Sequence, residues 1–242
     1  MPTGIIFNGM AIFLGGVIGT FGGEKMSAEF KSGLNLVFGV CSMTMGIYSI
    51  VPMKNMSAVI FAIIIGTAIG LMIHLGEKIN RGAKWMQKMI TKVLPNTKEG
   101  LSEQEFDATL VTVIVLFCAS GTGIYGSLAE GMSGDASILI SKSILDFFTA
   151  AIFAANLGFV VSLIAIPQII IFVMLFLLAG FIYPLTTPAM IADFKAAGGV
   201  LMLATGFRMV QIKMFPTADM IPAMIVVMPL SFLWVNYIMP LL

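Results

Sequence analysis

Lys142 and Asp146 stand four residues apart inside an apolar run, so on a helix they share one face. A charge at the centre of an isolated membrane helix costs about 2.5–3.5 kcal/mol, which predicts that the two side chains face a bundle interior and neutralise each other. Ionisable groups kept at that cost either line a solute path or lock helices together. Asp135 precedes the same run, Glu29 and Lys31 stand at the entrance of a second run, and Asp193 and Lys195 at that of a seventh. Asn8, Asn156, Arg208, Gln211 and Asn236 are further polar groups in or beside apolar segments. Lysines at helix entrances can reach water by snorkelling, so Lys31 and Lys195 carry less weight alone than as a recurring pair.

Little here points to bond-making chemistry. The sole histidine is His74, and there are no zinc-spaced cysteines, no histidine–carboxylate cluster and no phosphate-cradling loop. Cys41 and Cys118 lie inside apolar runs and read as small core residues. The expectation is a protein that is not an enzyme and takes no cofactor or metal. A net charge of +1 gives no general attraction to nucleic acid.

Hydrophobic residues make up 59% of the 242, charged residues only 10%, and mean hydropathy is +1.03. These values describe a chain partitioned into lipid, since about 20 apolar helical residues cross the hydrocarbon core. Apolar runs cover 4–22, 30–50, 56–75, 108–126, 136–155, 159–184, 191–212 and 219–240. The predicted fold is therefore all-α: a polytopic transmembrane helical bundle of about eight helices. Pro167 interrupts the sixth run, which is either one kinked span or a short helix followed by a full one. The first run lacks a basic leader and further spans follow it, so no cleavable signal is expected.

The long polar stretch 77–107 holds Lys78, Arg81, Lys84, Lys88, Lys92 and Lys98, which places it in the cytoplasm and leaves 126–135, free of Lys and Arg, outside. Lys213 agrees with that orientation and Lys54 opposes it; both termini would face outward. Ile79, Ala83, Met86, Ile90 and Val93 recur at helical spacing opposite the basic residues, and Trp85 suits the interface, so a helix lying on the membrane is expected there, with lysines favouring anionic headgroups. Pro95, Asn96 and Gly100 should end it.

Sliding the sequence by 164 residues lays the first three runs on the last three without a gap. Gly16 meets Gly180, Met26 meets Met190, Glu29-Phe30-Lys31 meets Asp193-Phe194-Lys195, Pro52 meets Pro216 and Asn55 meets Asp219. A weaker echo puts Lys142-Ser143 beside Lys31-Ser32. If the sixth run is one helix, five spans separate the copies and the repeat is inverted, an arrangement many secondary transporters use; if it is two, the copies are parallel. The chain then divides into 1–76 (first three-helix repeat), 77–107 (basic amphipathic loop), 108–158 (central helices) and 159–242 (last three-helix repeat). Gly15, Gly16, Gly19, Gly22 and Gly23 in the first run, facing Gly121, Gly123, Gly126 and Gly131 around the fourth, read as close helix packing.

Phe117-Cys118, Gly126, Gly131, Ser133-Gly134-Asp135, Lys142-Ser143-Ile144-Leu145-Asp146 and Leu157-Gly158 resemble the central signature of the YdfK/YqgA-like family, also known as domain of unknown function 554. Gly4, Asn8, Ala11, Leu14-Gly15-Gly16 and Gly19 look like that family's first helix, so the likeness covers essentially the whole chain. Ala129-Glu130-Gly131 stands where glutamine-aspartate-glycine would be usual, and Gln168 precedes Ile169 where glycine would be. The resemblance implies a bacterial inner membrane protein and brings no assigned activity with it.

From the residues, the leading expectation is a transporter or channel for a small polar or charged solute. Its path would be lined by Lys142, Asp146, Asp135, Asn8 and the Glu29/Lys31 and Asp193/Lys195 pairs, and the three repeated lysines lean toward an anion. The alternative is a non-transporting scaffold or sensor using the basic loop. Membrane lipids and the solute are the expected partners, and homo-oligomers are compatible with either reading.

Overall fold

In the computed structural model, which describes residues 1–23, 26–94 and 102–241, every regular element is helical. The helices are α1 (Thr3–Gly22), α2 (Ala28–Ile50), α3 (Met56–Met72), α4 (Leu75–Val93), α5 (Glu103–Cys118), α6 (Gly121–Ser133), α7 (Ser137–Leu157), α8 (Val160–Leu163), α9 (Ala165–Ile182), α10 (Pro188–Met209) and α11 (Pro222–Leu233). Among the described residues, seven spans are long and apolar enough to cross a membrane, and an eighth is reached if α3 and α4 are taken together. Large apolar side chains face outward: Ile166, Ile170, Met174, Leu177 and Phe181 of α9 are all more than half exposed. Such a surface is stable in lipid and not in water. The protein is a multi-pass membrane protein.

The break between α5 and α6 corrects the expected fourth span. Helix resumes at Ser120, whose side chain accepts from the Gly123 amide, and continues through Ser133. The expected outer loop 126–135 is thus mostly helix, and the connection is only 134–136. Gly134 ends α6 at φ 71°, a left-handed cap that glycine adopts without steric cost. The sixth run is a single span, Val160–Leu185, with α8 as a short opening turn. Pro167 sits in the first turn of α9, where the missing N–H does little harm. The amphipathic stretch forms α4, with Ala83 and Ile90 buried and Trp85 64% exposed. Its proposed stop signals Pro95, Asn96 and Gly100 lie outside the described residues, as does Lys98.

Two compact units divide the chain: 1–35 with 78–178, and 36–77 with 179–242. In the first, α1 runs parallel to α7. An added Cβ on Gly15 would stand 2.1 Å from the Phe147 carbonyl oxygen, and one on Gly19 2.1 Å from that of Ala151. The glycine stripe therefore packs on α7, while Gly123 and Gly126 face Phe172 and Leu139. The expected pairing of the two glycine sets is corrected: a close backbone approach needs glycine on only one of the helices. Gly19→Ala should separate α1 from α7 and cost about 1–3 kcal/mol. Gly22→Ala, with nothing within 4 Å of the new carbon, should leave stability unchanged. Thermal unfolding of the two variants in detergent compares them directly.

The second unit pairs α2 with α10 and α3 with α11. Gly39 lies against Gly206 and Gly46 against Gly199, so α2 and α10 run antiparallel. Gly66 against Ala223 and Gly70 against Asp219 give α3 and α11 the same antiparallel sense.

Candidate functional site

Lys142 and Asp146 form a buried ion pair on α7, with side chains 5% and 9% exposed. Asn8 of α1 donates from Nδ2 to Asp146 Oδ2 at 2.8 Å. Gln168 of α9 donates from Nε2 to Asn8 Oδ1 at 2.7 Å. Three helices thus contribute to one polar chain, Gln168 to Asn8 to Asp146 to Lys142. Its position follows from the packing: the small residues of α1 bring that helix close to α7, and Asn8 lies on the same buried stripe as Gly4, Ile12 and Gly15. Lys142 also stands 5.9 Å from the centre of the Phe117 ring, a cation–π contact.

One side-chain atom of this polar cluster is unmatched. Gln168 is fully buried, and its Oε1 accepts no hydrogen bond. Leaving such an acceptor unpaired costs about 1–3 kcal/mol, and an orphan of this kind asks for an explanation. Oε1 is thus an unused acceptor at the end of the cluster, linked through Asn8 to a carboxylate whose charge Lys142 offsets.

Three other carboxylates, two buried and one half-buried, have a different task. Glu130 accepts from the Gly4 and Ile5 amides at the start of α1, where Pro2 offers no side-chain cap. Asp193, fully buried, accepts from the Lys54 and Asn55 amides, from Asn55 Nδ2 and from the Ser231 hydroxyl. The half-buried Asp219 accepts from the Gly76 amide at the start of α4. Each places negative charge where a helix N-terminus presents free amides and the positive end of its dipole.

The other candidates are dispersed. Asp135 accepts from the Ser137 amide and hydroxyl before α7. Glu29 is exposed in the first turn of α2, and Lys31 reaches Asn156 Oδ1 at 3.4 Å. Asp193 and Lys195 belong to the second unit, and the Lys142 cluster to the first. In the sequence, Gln168 stands out only as the residue before a departure from the family pattern. Yet it and Ser162 are the polar interruptions of the apolar stretch 159–182, the same signal that singled out Asn8. Glu130 carried no such signal, because it falls in 126–135, a stretch that reads as a loop. Among the described residues, no group of three or more His, Cys, Asp or Glu is placed to hold a metal ion.

The family model for proteins of unknown function DUF554 matches residues 3–232. The chain belongs to this family. It is 43% identical over 234 residues to the uncharacterized protein YqgA of Escherichia coli (strain K12), covering 97% of this chain and 98% of that one. To the uncharacterized membrane protein YdfK of Bacillus subtilis (strain 168) it is 26% identical over 224 residues, covering 92% and 93%. No solved structure matches the chain.

Proposed function

We propose that the protein moves a small polar or charged solute across the membrane, and that Lys142, Asp146, Asn8 and Gln168 form its binding site. The observation that carries this reading is the buried Gln168 Oε1, an acceptor without a donor at the end of a polar chain that includes an intramembrane ion pair. Intramembrane charge of this kind commonly marks a solute or ion path. A donor solute, such as a small ammonium ion or a hydrated cation, suits Oε1. The lean toward an anion is not carried forward, since Lys142 is committed to Asp146 and Lys31 to Asn156.

The antiparallel pairs α2/α10 and α3/α11 support an inverted duplication, because copies related by 164 residues would cross in this sense. Movement of one copy against the other would then open the site alternately. We place the protein in the bacterial inner membrane with 77–107 in the cytoplasm, following its basic residues. The reading includes no enzymatic step and no cofactor.

A second reading, a scaffold or lipid-contacting sensor, draws on a specific feature: Lys142 and Asp146 are 4% and 6% exposed and paired, as a purely structural lock would be. Flux into vesicles containing purified protein, screened over ammonium, alkali cations, small amines and small anions, separates the two. Transport requires solute-dependent flux in the wild type that falls at least about tenfold in a folded Asp146→Asn variant. Absence of flux over the whole panel would favour the scaffold.

A further inference from the structure

An open apolar groove of about 300 Å³ runs between α4 and α9 in the first unit. Trp85, Met89 and Val93 form one wall; Ile166, Pro167 and Ile170 form the other. Trp85, Met89 and Val93 are 64%, 50% and 77% exposed, so none is used up in helix packing. That task falls to Ala83, Gln87 and Ile90, which are buried. Helical geometry then fixes what lies beside the groove. At 3.6 residues per turn, Arg81, Lys88 and Lys92 project from the flank of α4 adjoining Trp85, on the side away from the packed face. All three are exposed. The one acid of α4, Glu77, lies in its first turn, away from the Met89–Val93 end of the groove.

The groove thus places an apolar trough, an interfacial tryptophan and a row of cations side by side on one helix. A buried solute site has convergent polar groups inside the pocket, and this trough has none. A phospholipid divides in the same way, into an acyl chain and a charged head group. A second apolar groove, lined by Phe7, Met10, Leu14, Ile144 and Phe148, lies between α1 and α7, two helices that carry no exposed charged residue. Neither groove has a charged residue in its own wall; the row of exposed cations alongside sets the α4 groove apart from the α1–α7 one.

We infer that the α4–α9 groove is a binding site for an anionic phospholipid, one acyl chain lying against Met89, Val93, Ile166 and Ile170 and the phosphate facing Arg81, Lys88 and Lys92. The site is independent of whether the protein transports anything. Long side chains such as Lys88 and Lys92 can place their ammonium groups at phosphate level while their stems cover the chain.

The test is native mass spectrometry of the full-length protein in neutral detergent, titrated with phosphatidylglycerol or phosphatidylcholine of identical acyl chains. Wild type should retain phosphatidylglycerol roughly tenfold better than phosphatidylcholine. Combined Arg81→Gln, Lys88→Gln and Lys92→Gln should abolish the preference and leave the weaker binding of both lipids. Ile170→Trp, at a residue already 56% exposed and so tolerant of change, should fill the trough and weaken both lipids alike. Equal retention of the two lipids by wild type would overturn the site, as would a preference that survives loss of the three cations. Should the triple variant fail to fold, Ile170→Trp decides alone: unchanged phosphatidylglycerol binding overturns the assignment. A shift in oligomeric mass with unchanged lipid binding would show instead that a second copy of the chain occupies the groove.

Discussion

Asp193→Ala should cost about 3–5 kcal/mol of stability, a loss on the scale of removing one partner from a buried ion pair. The carboxylate is fully buried and takes four hydrogen bonds: from the Lys54 and Asn55 amides at 2.9 Å each, from Asn55 Nδ2 at 2.8 Å and from Ser231 Oγ at 2.6 Å. Alanine strands all four donors around a fully buried position. It also removes the negative charge that faces the start of α3, whose own N-cap residue, Asn55, makes no side-chain capping bond. Asp193→Asn keeps one oxygen for the two backbone amides and should lose about 1–2 kcal/mol. Ser231→Ala removes a single donor and should lose about 1 kcal/mol. Thermal or denaturant unfolding of the purified protein in detergent gives the ranking. An Asp193→Ala variant as stable as wild type would mean that these donors find other partners and that the junction of α3, α10 and α11 is held elsewhere.

That junction shows where sequence reading stopped. Periodicity and hydropathy located the spans because lipid demands long apolar helices, and no tertiary contact overrides that demand. The Lys142–Asp146 pair was legible for a related reason: two charges four residues apart in an apolar run must meet. Asp193 was legible as an unusual residue but not in its role. Its partners, Asn55 and Ser231, come from segments 138 and 38 residues away, and no local spacing encodes such a meeting. Glu130 escaped for the same reason, its amide partners at Gly4 and Ile5 being 126 and 125 residues distant. The glycine stripe of α1 announced a close helix contact without naming α7 as the partner, because a smooth face fits any backbone. The α5–α6 break was hidden in the sequence: Gly121, Gly123 and Gly126 resemble the end of a span, while Ser120 restarts a helix there.

The sharpest separation of a binding site from a structural lock comes from removing the Lys142–Asp146 pair whole. Lys142→Met leaves Asp146 as an uncompensated carboxylate held by Asn8 alone, and Asp146→Leu leaves a buried ammonium facing a ring. Each should lose about 3–5 kcal/mol, because breaking a buried pair exposes the full cost of the remaining charge. The double variant carries neither charge, and its stability should return to within about 1 kcal/mol of wild type, or exceed it, since apolar residues of similar volume often replace a buried pair without loss. Unfolding in detergent measures the coupling between the two positions, which should be large and favourable in this cycle. The same double variant, in vesicles, then carries the functional question free of any folding defect. If the pair only fixes helix packing, a stable double variant should transport as wild type does. If Asp146 is the anion that a cationic solute meets beside Gln168 Oε1, stability returns and flux does not, because no apolar side chain can replace the water that the solute gives up on entering the site.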